Sequence, residues 1–232
     1  MCVKYKVTII DNIGGAKCMT QLFEEIKAYK EEFIRKAPEE KQKLMAQATT
    51  ELEVSGVAHG LKKGDQVPDF ILTDATGKTV SIAEELSTGP VILTFYRGGW
   101  CPYCNLELKA YQRELGTIKD AGATLIAISP ETPDASLSTK EKNELDFIVL
   151  SDESNTVAEK FDLVFKMPDF LIEVYKDSGL NVAGHNGNND WELPKPATFV
   201  IDQSGKIVFA EVDSDYTKRV EPSKVVEIVK SI

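Results

Sequence analysis

Two cysteines separated by two residues are the side chains of this chain best suited to chemistry. Cys101 and Cys104 follow a strongly apolar run at 91–95 and a turn that contains Gly98 and Gly99. Apolar side chains recur at helical spacing after them: Leu108, Tyr111, Leu115 and Ile118. This pattern predicts a strand, a turn and a helix N-terminus that carries both thiols. Unpaired N–H groups and the positive end of the helix dipole favour a thiolate, so we predict a reactive pair.

Redox chemistry is the favoured interpretation of the pair. A zinc site needs about four ligands, usually from a second close pair of cysteines. The remaining cysteines and histidines are scattered singly: Cys2, Cys18, His59 and His185. We therefore expect no metal, bystander thiols at the first two positions and no catalytic histidine. A structural disulfide across so short a loop would stabilise the fold little. No organic cofactor is expected.

Composition limits the class of protein. The chain has 232 residues, of which 42% are hydrophobic and 28% charged, which is typical of one globular domain with additions. Its net charge of −10 argues against nucleic acid or an anionic membrane as partner, because either requires a basic face. No run approaches the ~18 apolar residues of a membrane helix, and the N-terminus lacks a secretory pattern. We expect a cytoplasmic protein, in which a close cysteine pair is catalytic or metal-binding rather than structural.

The segments around the pair predict an α/β core with a mixed sheet and helices on both faces. Predicted strands alternate with predicted helices, at 91–96, 104–121, 123–129, 136–145, 147–150 and 156–165. Near-continuous apolar strands in such an alternation indicate parallel pairing with both faces covered. Antiparallel hairpins are predicted before this core, around 71–82, and after it, at 197–210. A closing helix begins at Pro222.

Three segments stand apart from this core. Residues 1–18 are a tail of uncertain order. Residues 19–61 predict a helical hairpin that Pro38 divides, followed by the main domain at 62–232. Packing against that domain is the favoured role of the hairpin, and a homodimer contact is the alternative. Residues 166–193 fit the alternation poorly: 171–175 could form a short helix, whereas 185–191 is polar and turn-forming and predicts a surface loop. A simple insertion is favoured over a lid above the site.

Several motifs in order resemble one family. They lie at 64–70, 95–108, 127–130, 150–152 and 196–202. Over roughly residues 62–232 the chain resembles peroxiredoxin-like proteins of the alkyl hydroperoxide reductase and thiol-specific antioxidant family. The resemblance implies a thioredoxin-like fold and a thiol-dependent peroxidase. Its implied partners are hydrogen peroxide or an organic hydroperoxide, and a thioredoxin-like or glutaredoxin-like reductant.

The residues of the pair depart from that family. Peroxiredoxins carry proline, then threonine or serine, then the attacking cysteine at the positions of Arg97, Cys101 and Cys104. The resemblance implies that Cys104 attacks the peroxide and that Cys101 condenses with the resulting sulfenic acid to form a disulfide. Arg97 is a candidate donor to the departing oxygen, and a structural ion pair with Glu107 is its alternative role. Glu107 is expected on the solvated face of the helix, and accepting a proton near the thiol is its alternative role.

Other features resemble thioredoxins and support a second hypothesis. In thioredoxins a tryptophan, here Trp100, precedes the attacking cysteine, which places that role on Cys101. Pro196 stands where peroxiredoxins present an arginine and thioredoxins a cis-proline, so we expect a cis bond there. The alternative function is a thiol-disulfide oxidoreductase acting on disulfide substrates. A third hypothesis is a non-catalytic redox sensor or interaction protein. The motifs outside the pair favour the peroxidase.

Overall fold

The computed structural model describes residues 21–74 and 76–232. The predicted tail, with Cys2 and Cys18, lies outside these residues, so the expectations for it are not tested. Within the described residues, no helix combines the length and the apolar character that a membrane crossing requires.

A seven-stranded mixed sheet forms the centre of the fold. The described residues form nine strands: β1 (Ile71–Asp74), β2 (Thr79–Ser81), β3 (Val91–Phe95), β4 (Thr124–Ser129), β5 (Ile148–Ser151), β6 (Val164–Lys166), β7 (Glu192–Pro194), β8 (Ala197–Ile201) and β9 (Ile207–Val212). Seven of them form the central sheet in the order β2-β1-β5-β4-β3-β8-β9, and β6 pairs with β7 in a separate two-stranded sheet. Strands β3, β4 and β5 are parallel, whereas β8 runs antiparallel to β3. The predicted mixed sheet is confirmed.

Helices cover both faces of this sheet. The α-helices of the described residues are α1 (Gln21–Lys36), α2 (Glu39–Val54), α3 (Ile82–Thr88), α4 (Pro102–Asp120), α5 (Pro133–Lys142), α6 (Thr156–Lys160), α7 (Asp169–Asp177), α8 (Val182–Asn186) and α9 (Pro222–Val229). Every residue of β3 is buried, and its side chains alternate between two cores. Ile92 joins the core with α4 and α9, while Leu93 and Phe95 join the one with α3 and α6. Burial on both sides explains why this strand reads as an uninterrupted apolar run.

The N-terminal helices pack against the main domain. Helix α1 contacts α4, and α2 contacts α7. Leu22 and Ile26 of α1 are buried in the core that contains α4. The Glu221 carboxylate accepts a hydrogen bond of 2.8 Å from the N–H of Phe23 in the first turn of α1, where a negative charge stabilises a helix. The favoured packing role is therefore confirmed, and the homodimer contact stays a prediction.

One prediction about the second half of the chain is wrong. The helix predicted at 156–165 ends at Lys160, because Asp162 takes a left-handed φ of 53°, and β6 follows. The short helix considered at 171–175 is present as α7, and the polar loop expected at 185–191 begins after α8 ends at Asn186. Apolar side chains of α7 and α8 pack on α2 in a separate small core: Leu171, Ile172, Tyr175 and Val182 with Ala48.

Candidate active site

The turn between β3 and α4 needs glycine at two positions. Gly98 has a φ of 146°, and a Cβ there would lie 2.3 Å from Nε1 of Trp100. A Cβ on Gly99 would lie 1.9 Å from the hydroxyl oxygen of Thr139. The Gly99 N–H donates to the buried carboxylate of Glu131 at 3.0 Å. These close contacts fix the turn and hence the start of α4, where the cysteines lie.

The Glu131 carboxylate, which binds this turn, contacts two further side chains. The Thr139 hydroxyl donates to Glu131 at 3.2 Å, and Nδ1 of His185 lies 3.2 Å from the other carboxylate oxygen. Sequence reasoning gave His185 no role, because its partner lies 54 residues away. Neither group touches the thiols, so both act by positioning the turn.

Cys101 is the N-cap residue of α4 and borders an open space. Its carbonyl oxygen accepts a hydrogen bond of 3.1 Å from the Asn105 N–H, and Pro102 occupies the first turn of the helix. Although only 1% exposed, Cys101 lines a cavity of about 120 Å³ with Arg97 and Trp100. A small molecule in this cavity would meet the Cys101 thiol.

Cys104 lies one turn deeper and is fully buried. It does not line the cavity that reaches Cys101. Nη2 of Arg219 donates to its sulfur at 3.4 Å, and Nε of the same arginine pairs with the Glu107 carboxylate at 2.5 Å. Cys104 therefore lies behind Cys101, against a buried ion pair.

These surroundings shift the pKa values of the two thiols in opposite directions. At Cys101, burial disfavours the thiolate, but the hydrogen bond from Cys104 and the charge of Arg97, together with Arg219, lower the pKa to about 6. At Cys104, burial and the neighbouring Cys101 raise the pKa well above its usual value, and the charge of Arg219 does not compensate. Both directions favour ionisation of Cys101 before that of Cys104.

Arg97 is a buried cation enclosed by aromatic rings. Its Cζ lies 4.9 Å from the centre of the Trp100 ring, 5.7 Å from that of Tyr175 and 4.5 Å from that of Tyr216. Nη2 donates to the Tyr175 hydroxyl at 2.6 Å. Tyr175 belongs to α7, so the segment predicted as an insertion supplies a wall of the site. Trp100 is a wall as expected.

The predicted ion pair between Arg97 and Glu107 is wrong. Glu107 is 2% exposed and pairs with Arg219, whereas no described carboxylate forms an ion pair with Arg97. Burial raises the pKa of Glu107 to about 7, against the opposing charge of Arg219. Sequence reasoning missed Arg219, which lies 115 residues from Cys104. A signal did exist for Glu107, because it lies on the α4 face that carries Cys104 and Tyr111.

The prediction of a cis bond at Pro196 is also wrong, since the described residues contain no cis peptide. The backbone is already extended there: the Lys195 N–H donates to the Leu163 carbonyl at 2.9 Å, and Ala197 pairs with Phe95 in the sheet. Pro196 shares a cavity with Arg97 and does not line the one that reaches Cys101. Among the residues with described positions, no cluster of three or more His, Cys, Asp or Glu could hold a metal ion.

Comparison with known proteins shows the family of this chain. The model of the AhpC/TSA family matches residues 63–210. A chloroplastic peroxiredoxin Q of Triticum aestivum is 28% identical over 171 residues, which are 73% of this chain and 66% of the plant protein. The chain thus spans slightly less than two thirds of that relative. A putative peroxiredoxin of Mycobacterium tuberculosis is 29% identical over 160 residues, 69% of this chain and 90% of that protein.

A solved structure agrees with these sequence matches. The crystal structure of the peroxidoxin BcpB from Mycobacterium tuberculosis superposes with a TM-score of 0.59 at 25% identity. The superposition covers 74% of this chain and 98% of that one. Helices α1 and α2 lie before the family match and Arg219 after it. The family match covers well over half of the chain, and so this chain belongs to the AhpC/TSA family, as a peroxiredoxin-like protein with a thioredoxin fold.

Proposed function

We propose that this chain is a thiol-dependent peroxidase that reduces hydroperoxides through the Cys101 and Cys104 pair. One observation carries the proposal: a thiol with a lowered pKa, Cys101, lines a cavity beside the buried cation Arg97, with a second thiol directly behind it. Membership of the AhpC/TSA family supports the reaction class. The family also implies peroxide substrates and thioredoxin-like reductants.

In the first step, the Cys101 thiolate attacks one oxygen of the hydroperoxide. A sulfur–oxygen bond forms, the oxygen–oxygen bond breaks, and Cys101 becomes a sulfenic acid while the peroxide is reduced to an alcohol or water. Negative charge develops on the departing oxygen before it takes up a proton. Arg97 lines the same cavity and supplies positive charge there.

This assignment exchanges the roles that the resemblance implies. The family pattern makes Cys104 the attacking thiol, whereas the burial, raised pKa and position of Cys104 favour it as the second thiol. Cys101 stands where the family pattern has threonine. This replacement supplies a second thiol, and the proposed attacking role moves to it from Cys104.

In the second step, Cys104 attacks the sulfur of the Cys101 sulfenic acid. A disulfide forms, hydroxide leaves, and the Cys104 proton completes the water molecule. Cys104 must lose its proton to react, which its raised pKa opposes. Glu107 is suited to accept that proton, because its pKa of about 7 allows both protonation states at neutral pH, and Arg219 stabilises the thiolate as it forms. A thioredoxin-like or glutaredoxin-like dithiol then reduces the disulfide.

Thiol-disulfide exchange is the second candidate function. A cysteine of low pKa at a helix N-cap, preceded by Trp100, is suited to attack a substrate disulfide. The same Cys101 and Cys104 disulfide would result, so the two functions differ in substrate alone.

Steady-state turnover tests the two candidates. The reduced protein is mixed with hydrogen peroxide and excess dithiothreitol, and peroxide loss is followed; insulin reduction is measured in parallel. We expect peroxide consumption that Cys101→Ser abolishes, and insulin reduction no faster than with dithiothreitol alone. Insulin reduction that needs Cys101, without accelerated peroxide loss, would replace the peroxidase with the exchange function. The cytoplasmic location, the absence of a cofactor and the homodimer stay predictions.

A further inference from the structure

A second cavity lies next to the one that reaches Cys101, between α2 and α7. Its volume is about 360 Å³, within the range of roughly 300–1,000 Å³ usual for small-molecule sites. Most of its walls are apolar, and they include Met45, Ala48, Leu52, Phe165, Pro168 and Leu171. Helix α2 lies outside the family match, so this cavity belongs to the N-terminal extension as much as to the family domain. Its shape and lining suit an apolar molecule.

The charged residues of this cavity are mostly cations. Arg97, Lys166 and Lys195 line it, against the single carboxylate of Glu51. Arg97 is 2% exposed, its Nε–H finds no acceptor among the described residues, and no described carboxylate pairs with it. A buried donor without an acceptor is costly, so a ligand that offers an acceptor gains affinity. In a chain with a net charge of −10, this concentration of cations points to an anionic ligand.

We propose that this cavity binds the anion of a medium-chain fatty acid, with its carboxylate on Arg97 and its hydrocarbon chain between α2 and α7. A guanidinium group binds a carboxylate through directed, charge-assisted hydrogen bonds. The apolar walls remove the hydrocarbon chain from water. This ligand is distinct from the peroxide, because its recognition needs no oxygen–oxygen bond.

The position of Arg97 links this ligand to the thiol. Arg97, Met45 and Tyr216 line both cavities, so a carboxylate on Arg97 lies beside the cavity of Cys101. The carboxylate competes with the Cys101 thiolate for the charge of Arg97. On the basis of the proposed function, the bound fatty acid therefore inhibits peroxide reduction.

Calorimetric titration of the reduced full-length protein tests the binding without peroxide. The probes are octanoate, octan-1-ol with nearly the same tail but no charge, and acetate with the charge but no tail. We expect octanoate to bind at least about tenfold more tightly than either control probe, since a hydrogen bond to a charged group is worth at least that factor. Equal affinity for octanol and octanoate would overturn the proposal.

Adjacent threonines on α2 provide a matched pair of variants. Thr49 lines the cavity and Thr50 is exposed, and each hydroxyl donates to the carbonyl four residues earlier, at 3.2 Å and 3.1 Å. Thr49→Phe fills the cavity and should weaken octanoate binding at least about tenfold, whereas Thr50→Phe should leave it unchanged. Equal binding by both variants would contradict the site.

Arg97→Gln tests the headgroup separately. It should weaken octanoate binding and leave octanol binding unchanged, and the octanol titration shows that the cavity is intact. Unchanged octanoate binding in this variant would also overturn the proposal. Because no peroxide is present, these results are independent of whether the chain proves to be a peroxidase.

Discussion

Cys101 and Cys104 lie one helical turn apart and have opposite electrostatic surroundings. Cys101 borders a cavity beside Arg97 and accepts a hydrogen bond from the second thiol, so its charged form is stabilised. Cys104 is enclosed by protein and faces the pair formed by Glu107 and Arg219. Attack on peroxide needs a thiolate, whereas the second thiol can stay protonated until the sulfenic acid has formed. These surroundings support the proposed order of oxidation, with Cys101 first.

The pH dependence of alkylation tests this difference between the thiols. Thiolates react with iodoacetamide, so the rate at Cys101 should rise with pH, with a midpoint near its pKa of about 6, and then level off. Arg97→Gln removes a stabilising charge and should raise the midpoint by about 1 to 3 pH units. The rate is read from the modified peptide by mass spectrometry.

A matched arginine serves as the control for that experiment. Arg113 lies on α4 and pairs with Glu25 at the surface, so Arg113→Gln should leave the midpoint where it is. Modification of Cys104 ahead of Cys101 at neutral pH would contradict the assignment of the low pKa.

Helices α2 and α7, which stand outside the alternation of strands and helices, complete the site. Helix α7 brings Tyr175 over Arg97, and α2 packs behind α7. Helix α1 packs on α4, which carries the thiols, and is tied to the start of α9 by Glu221. The N-terminal extension is therefore part of the structure that holds the site, rather than an independent appendage.

Neighbouring residues on α1 test this packing. Leu22 is 0% exposed, and Leu22→Ala should lower the free energy of unfolding by about 2 to 5 kcal/mol, the cost of a large cavity in a core. Phe23 is 47% exposed, and Phe23→Ala should change the free energy of unfolding by only about 0.5 kcal/mol. Urea unfolding followed by tryptophan fluorescence measures both. Equal effects of the two substitutions would show that α1 does not pack on α4 as described.

Local patterns predicted much of the fold. The uninterrupted apolar run of β3, the glycine turn and the proline at the start of α4 are short-range signals, and each element formed close to where it was predicted. The apolar stripe of α1 also predicted packing correctly. Helix α7 includes the short helix that 171–175 allowed, whereas α8 had no such signal, because it runs into a polar stretch that is typical of a loop.

The pairing of distant side chains could not be predicted in the same way. Arg219 meets Cys104 and Glu107 only because α4 and the segment before α9 lie on the same face of the sheet. Arg97 faces aromatic rings from α7 and from the loop after β9 rather than the nearby carboxylate of Glu107. Tertiary burial also decides which thiol ionises, and a sequence motif carries no measure of it.

The thiol pair, the buried cations and the helices around them form a site suited to the proposed transfer of two electrons from cysteine sulfur to a hydroperoxide. The chain belongs to the AhpC/TSA family, yet its lowered thiol pKa lies at the position where the family pattern has threonine. We therefore propose that Cys101 reduces the peroxide and that Cys104 closes the disulfide.

A single-turnover reaction of each cysteine variant with hydrogen peroxide tests that claim most directly. Reduced Cys104→Ser and reduced Cys101→Ser are mixed with one equivalent of peroxide in a stopped-flow instrument, and sulfenic acid is trapped with dimedone. We predict rapid formation of a dimedone adduct on Cys101 in the Cys104→Ser protein, and no reaction faster than free cysteine in the Cys101→Ser protein. Rapid oxidation of Cys104 in the Cys101→Ser protein, with a slow Cys104→Ser protein, would contradict the account.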